Sequence, residues 1–199
     1  GFYNDFDISA DLVTHLGSLV ADIHLQNLDT DTPGYSGNII SADFQLGHFL
    51  KQNTIGRIAL NIDVEGNGFS PSTANARVKG VISAFDVNRY TYGNIALEGI
   101  LQRRQFDGYL KSEDPNLDME FNGKIDFSTE EPVFDLTAQV NHINAYQLHF
   151  SPKKISASGK VNLNFSGSNI DNFKGVALMH HLEIYRDNYL LDIDSFRLS

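Results

Sequence analysis

From Leu117 to Phe127 every second residue is apolar or glycine: Leu117, Met119, Phe121, Gly123, Ile125 and Phe127. Between them stand Asp118, Glu120, Asn122, Lys124 and Asp126. Successive side chains on a strand point to opposite faces, so this spacing predicts one strand, about 36 Å long at roughly 3.3 Å per residue, with one apolar and one polar face. Asn122-Gly123 is the dipeptide of tight hairpins. A turn there would pair Phe121 with Lys124 and Met119 with Asp126, mixing the two faces, which is heavily penalised wherever one of them is buried. The turn is expected earlier, at Glu113-Asp114-Pro115-Asn116, where proline presets its φ and Asp and Asn favour turns.

The same alternation recurs along the chain. It runs through Phe6, Ile8, Ala10 and Leu12, through Leu19, Ala21, Ile23 and Leu25, and through Ile58, Leu60, Ile62 and Val64. Further on it appears at Phe134, Leu136, Ala138 and Val140, at Val161, Leu163 and Phe165, and at Leu191 and Ile193. Only Asp43 to Lys51 looks helical, and it allows two turns at most. The chain is therefore expected to be all-β, a long antiparallel meander with little helix.

A second pattern places glycine on the apolar face. Apolar-x-Gly-x-apolar recurs around Gly37, Gly80, Gly99, Gly108, Gly123 and Gly175, with a looser copy at Gly159. Glycine weakens a strand, so its repetition predicts bends, bulges or room for a neighbouring ring. A longer recurrence links ADFQLGHFL, SAFDVNRYTY, NHINAYQLHF and HHLEIYRDNYL, anchored at Phe44, Phe85, Ile143 and Leu182. The intervals are 41, 58 and 39 residues, the long one containing an extra hairpin's worth of sequence from about Gly99 to Asn116. A period near 40 residues suggests stacked supersecondary units within one elongated piece spanning residues 1–199.

Bulk properties exclude several classes. The net charge of −10 opposes nucleic-acid binding, which depends on attraction to phosphates. With no cysteine there is no disulfide framework and no cysteine nucleophile or metal ligand. No run approaches the roughly 20 apolar residues of a membrane-spanning helix. The chain starts with Gly1 and opens and closes in strand-like sequence, which predicts a piece of a longer protein.

No pattern carries catalysis. Asp29 to Gly34 begins like a calcium loop but has Pro33 at a ligand position and Ile40 where a bidentate Glu belongs. Ser151-Pro-Lys-Lys154 matches S-x-x-K without the partner motifs that chemistry needs. His180 and His181 fall on opposite faces of a strand and cannot grip one ion together. Gly66-Asn67-Gly68 lacks the third glycine and helix of a dinucleotide site. Asn164-Phe165-Ser166 is a glycosylation sequon by pattern only. Asp5/Asp7 and Asp192/Asp194 read as a solvated outer face. The expectation is a protein that is not an enzyme and uses no metal or cofactor.

An apolar sheet face must be covered, because its burial is the main source of stability, at roughly 25 cal/mol per Å². A second sheet, closure into a barrel, or curling into a trough that holds apolar ligand would each do so. From pattern alone the apolar stripe reads as an ordinary core.

Four stretches bear on the choice: F-x-G-x-L through DPNL to F-x-G-x-I-DF (Phe106 to Phe127), F-Q-L-G-x-F-L (Phe44 to Leu50), I-G-R-I-x-L-x-I-D-V-x-G-x-G-F (Ile55 to Phe69) and G-K-V-x-L-x-F-S-G-x-x-I-D-N-F-K-G (Gly159 to Gly175). Together they resemble the TamB/AsmA-like family of diderm bacteria over most of the chain. The resemblance implies a periplasmic protein anchored in the inner membrane by a helix outside this segment. It also implies a taco-like β-groove with an apolar lumen that moves phospholipid towards the outer membrane. In the TamB branch it further implies outer-membrane biogenesis with an Omp85-type β-barrel assembly partner. Such a groove would be lined here by Ile58, Leu60, Ile62, Leu97, Leu101, Phe106, Leu110, Leu117, Met119, Phe121, Ile125, Phe127, Phe134, Leu136, Val140, Val161, Leu163 and Phe165, with glycines setting its curvature. The competing expectation is a sandwich or barrel with a dry core that offers edge strands to an assembly partner.

Overall fold

The computed structural model describes residues 4–70, 73–167, 172, 174–187 and 189–199. Gly1 and the Phe173 of the F-K-G-V-A copy lie outside the described residues. The chain separates into two compact units, residues 1–104 and 105–199. The first holds β1 (Asp5–Thr14), β2 (Gly17–Gln26), β3 (Gly34–Phe44), the helix α1 (Leu46–Leu50), β4 (Ile55–Asn67), β5 (Asn75–Val87) and β6 (Tyr90–Gln102). The second holds β7 (Gln105–Asp114), β8 (Leu117–Asp126), β9 (Val133–Asn144), β10 (Ile155–Ser166), β11 (Lys174–Arg186) and β12 (Tyr189–Leu198).

Within each unit every strand runs antiparallel to its chain neighbours, in chain order. β1 pairs with β2 alone and β12 with β11 alone, so neither unit closes into a barrel, and no strand of either unit turns back to form a second sheet. The all-β meander expected from the alternation is thus the architecture of both units. β8 runs unbroken through Asn122-Gly123. The preceding turn is at Pro115-Asn116, where the Asn116 amide donates to Asp114 Oδ1 at 2.8 Å. The helical stretch shortens to the five residues of α1, which ends where Lys51 takes a left-handed conformation at φ 55° and ψ 42°.

The two units share one plan. Two residues link β1 to β2 and β5 to β6, as they link β7 to β8 and β11 to β12, while ten residues link β3 to β4 (45–54) and β9 to β10 (145–154). The recurrent sequence element falls on β3, β5, β9 and β11, at the points where pairing slips. Register shifts occur between Ser41 and Phe44, between Ala59 and Leu60 opposite Ala84 and Ile82, and between Ala157 and Gly159 opposite Ile143 and Val140. Another lies between Ser158 and Lys160, opposite Glu183 and His180. β7, which carries no copy of the element, pairs with β8 without a shift. A bulge bends a strand and sharpens its twist, so a bulge on alternate strands coils the sheet.

The inward glycines do the same by another route. Gly37 has φ 151°, and a Cβ there would stand 2.0 Å from the Asp22 carbonyl oxygen on β2. Only glycine permits that backbone angle and that approach. Gly80, Gly123, Gly159 and Gly175 also have positive φ, whereas Gly99 and Gly108 do not. Those two instead face Val78 and Gly123 in regular pairing.

Candidate functional site: an uncovered apolar face

Antiparallel register sets directly opposed residues on one face, and here it aligns the apolar positions into rows that cross each unit. In the first unit one row runs Ile8, Ile23, Gly37, Val64, Val78, Gly99, and the next Ala10, Ala21, Ile39, Ile62, Gly80, Leu97. In the second unit a row runs Phe106, Ile125, Phe134, Phe165, Gly175, and another Leu110, Phe121, Ala138, Val161, Met179, Phe196. Aromatic rings fill the spaces between strands. Phe106 meets Phe121 edge-on at 6.0 Å, and Phe134 stacks on Phe165 at 4.9 Å and 21°.

Most of the expected lining residues stand on this apolar face, half-buried. Leu60, Ile62 and Leu97 do so in the first unit. In the second, Leu110, Leu117, Met119, Ile125, Leu136, Val140, Val161 and Leu163 do likewise. One expectation changes. Ile58 is 7% exposed and sits across from Phe44 and Phe85 beside the bulges, in the closed end of the first unit rather than on an open wall. Phe127 falls one residue beyond β8 and is 50% exposed, but its ring still meets Phe134 of the apolar row edge-on at 6.3 Å. Leu101, opposite Ala76 near the end of β6, is 44% exposed on the uncovered face. Conversely, Val78, Ile95, Ala138, Met179 and Leu182 belong to the apolar face and were not among the expected lining. The alternation Ala76, Val78, Gly80, Ile82 is the signal that identifies β5 as another wall strand.

Lateral packing along the rows buries these side chains without a second layer. The chain exposes 12658 Å². Two compact globules of half its 22.2 kDa each would together expose about 11,300 Å². The edge strands show the deficit most. Ile8 and Leu12 on β1 are 38% and 49% exposed, and Leu191 and Phe196 on β12 are 54% and 44% exposed. One end of the second unit is sealed instead: Leu148, in the ten-residue connection between β9 and β10, is fully buried.

The opposite face is largely polar and knitted together, although Val20, Ile40 and Val81 stand exposed on it in the first unit. Asn38 Nδ2 donates to Asn61 Oδ1 and Asp63 Oδ1, both at 2.9 Å, and Asn164 Nδ2 donates to Asp135 Oδ1 at 3.2 Å. Lys79 pairs with Glu98 at 3.0 Å. The hydrogen bond and charge of Glu113 hold the Lys111 ammonium above its ordinary pKa. Asp126 accepts hydrogen bonds from the Ser128 hydroxyl at 2.5 Å, the Ser128 amide at 2.8 Å and Gln105 Nε2 at 2.7 Å. The two Ser128 contacts lead in lowering its pKa. Shallow hollows on this polar face, about 470 Å³ around Lys124, Asp135 and Asn164 and about 460 Å³ around Asn38, Asp63 and Arg77, occupy corresponding places in the two units. Among the described residues no group of three His, Asp or Glu side chains is placed to hold a metal ion.

No family model, curated protein or solved structure matches the chain.

Proposed function

We propose that the apolar face of each unit is a wall for lipid acyl chains, and that the chain is a segment of a TamB/AsmA-like conduit in the periplasm that passes phospholipid towards the outer membrane. The observation that carries the reading is the set of apolar rows that cross each unit with no covering layer. Each CH₂ of an acyl chain taken from water onto such a wall contributes about 0.8 kcal/mol. The polar side chains on this face, Ser41, Ser112 and Asp114, are buried and not open to a headgroup, so the chains are held by area and can slide. The headgroup stays in water at the open edge. The reading assigns no catalysis, cofactor or metal.

Lipid extraction and mass spectrometry of the purified protein test this, together with a photo-crosslinking residue at Leu163. Co-purifying phospholipid and a lipid adduct at Leu163 are expected, and Leu136→Asp should abolish both while far-ultraviolet circular dichroism stays that of a folded sheet. A folded Leu136→Asp variant with undiminished lipid would sink the reading.

The bare edges favour a second reading alongside the first. β1 is regular, free of proline and apolar on one face, and β12 is free of proline, so either could accept a strand from an Omp85-type assembly partner.

A further inference from the structure

We infer that the two ten-residue connections, residues 45–54 and 145–154, dock on the surface of an anionic bilayer. This does not rest on the acyl-chain reading, because it concerns the ends of the units and not their faces.

The two connections repeat one arrangement. Gln45-Leu46 is followed by Phe49 and Lys51, and Gln147-Leu148 by Phe150, Lys153 and Lys154. In each a phenylalanine points to solvent, Phe49 at 62% and Phe150 at 59% exposed, and Tyr146 adds a third ring at 42%. The second connection is not slack: fully buried Leu148 pins it, and the Leu148 amide donates to the Asn144 carbonyl at 3.1 Å. A large apolar group held outward on an anchored connection, at corresponding places in both units, is not explained by burial within the fold.

Charge identifies the partner. Neither connection contains an acid, although the chain has 25 of them and a net charge of −10. Connections at the opposite end of the strands carry Asp29 and Asp31 in one unit and Glu130 and Glu131 in the other. Four of the five strand lysines, Lys79, Lys111, Lys124 and Lys174, are ion-paired. The connection lysines Lys51, Lys153 and Lys154 are exposed and, among the described residues, face no carboxylate within ion-pair distance. Asp187 also lines the hollow of about 380 Å³ beside Lys154 and Tyr146, but it is paired with Arg186 at 3.9 Å. Screening over about 10 Å lets these local cations act in spite of the acidic remainder. Aromatic rings at headgroup depth beside lysines that reach lipid phosphates are the chemistry of a bilayer interface.

Sedimentation of the whole protein with vesicles tests this. Binding is expected to vesicles containing a third phosphatidylglycerol and not to pure phosphatidylcholine, and it should weaken as salt rises. Lys153→Gln with Lys154→Gln should lower the partition coefficient about 30-fold. Phe49→Ser with Phe150→Ser should abolish sedimentation while far-ultraviolet circular dichroism stays that of a folded sheet, since both rings are largely exposed and, among the described residues, only Phe49 touches another ring, Phe44 at 5.8 Å. Leu136→Asp should bind vesicles normally while losing its single-lipid cargo, which separates this inference from the acyl-chain reading. Absence of binding to anionic vesicles, equal binding to neutral ones, or wild-type binding by folded connection variants would each overturn it.

Discussion

Gly123 on β8 and Leu136 on β9 face each other so closely that a Cβ on Gly123 would stand 2.5 Å from the Leu136 Cα, and 2.4 Å from the Asp135 carbonyl oxygen. The glycine also holds φ 143°. The two strands therefore meet backbone to backbone at this point, in the middle of the apolar face. Gly123→Ala is expected to destabilise the protein by about 2–3 kcal/mol, the cost of a disfavoured backbone angle plus a clash that no side-chain rotation relieves. Gly34→Ala is the comparison, because there φ is not in the left-handed region and the nearest atoms to an added methyl belong to the Gln26 side chain, from 2.9 Å, and not to backbone. Urea unfolding of both variants reads the difference.

Phe134 and Phe165 are stacked cross-strand partners. A double-mutant cycle to alanine should give a coupling energy of about 0.5–1.5 kcal/mol. Coupling near zero would mean that each ring rests on the face separately, and that the row is not packed as a unit.

Leu148 is the most deeply buried large side chain of the described residues. Leu148→Ala should cost about 2–5 kcal/mol, the range for a deletion that leaves a cavity. Leu101→Ala, at 44% exposure, should cost well below 1 kcal/mol. Thermal denaturation of the two variants side by side distinguishes a sealed end from an open wall.

Acid should loosen the link between β8 and β9. The Ser128 hydrogen bonds depress the folded-state pKa of Asp126. A depressed carboxyl contributes stability that is fully present above its unfolded value, about 3.9, and fades as pH falls through the lower folded value. Between pH 5 and pH 2 the wild type should therefore lose more stability than Asp126→Asn, which cannot titrate. Parallel melting curves for the two proteins over that range would count against the role of Asp126.

The strands were legible in the sequence because one face is wet and the other is not. Period-two text such as Ile58, Leu60, Ile62, Val64 has no helical reading, and the Asn122-Gly123 turn signal lost to it for the same reason. The glycines at 37, 80, 123, 159 and 175 were legible as bends, since a residue without a side chain has little other use on an apolar face. Gly99 and Gly108 carry the same signature without the unusual angle, because the pattern records only that a side chain is missing. The bulges were visible as a recurring element but not as bulges: an extra residue changes pairing, not composition. Ile58 was misplaced for a related reason. Alternation gives the face a residue points to, but not where pairing stops or where one end of the face is sealed.

Every strand in either unit leans chiefly on the strand before it and the strand after it. Such a wall has no keystone. A hairpin can be added or lost in evolution at the cost of one new seam, with the remaining seams untouched. Unfolding should then travel inward from a bare edge, one hairpin at a time, instead of shattering the whole sheet at once.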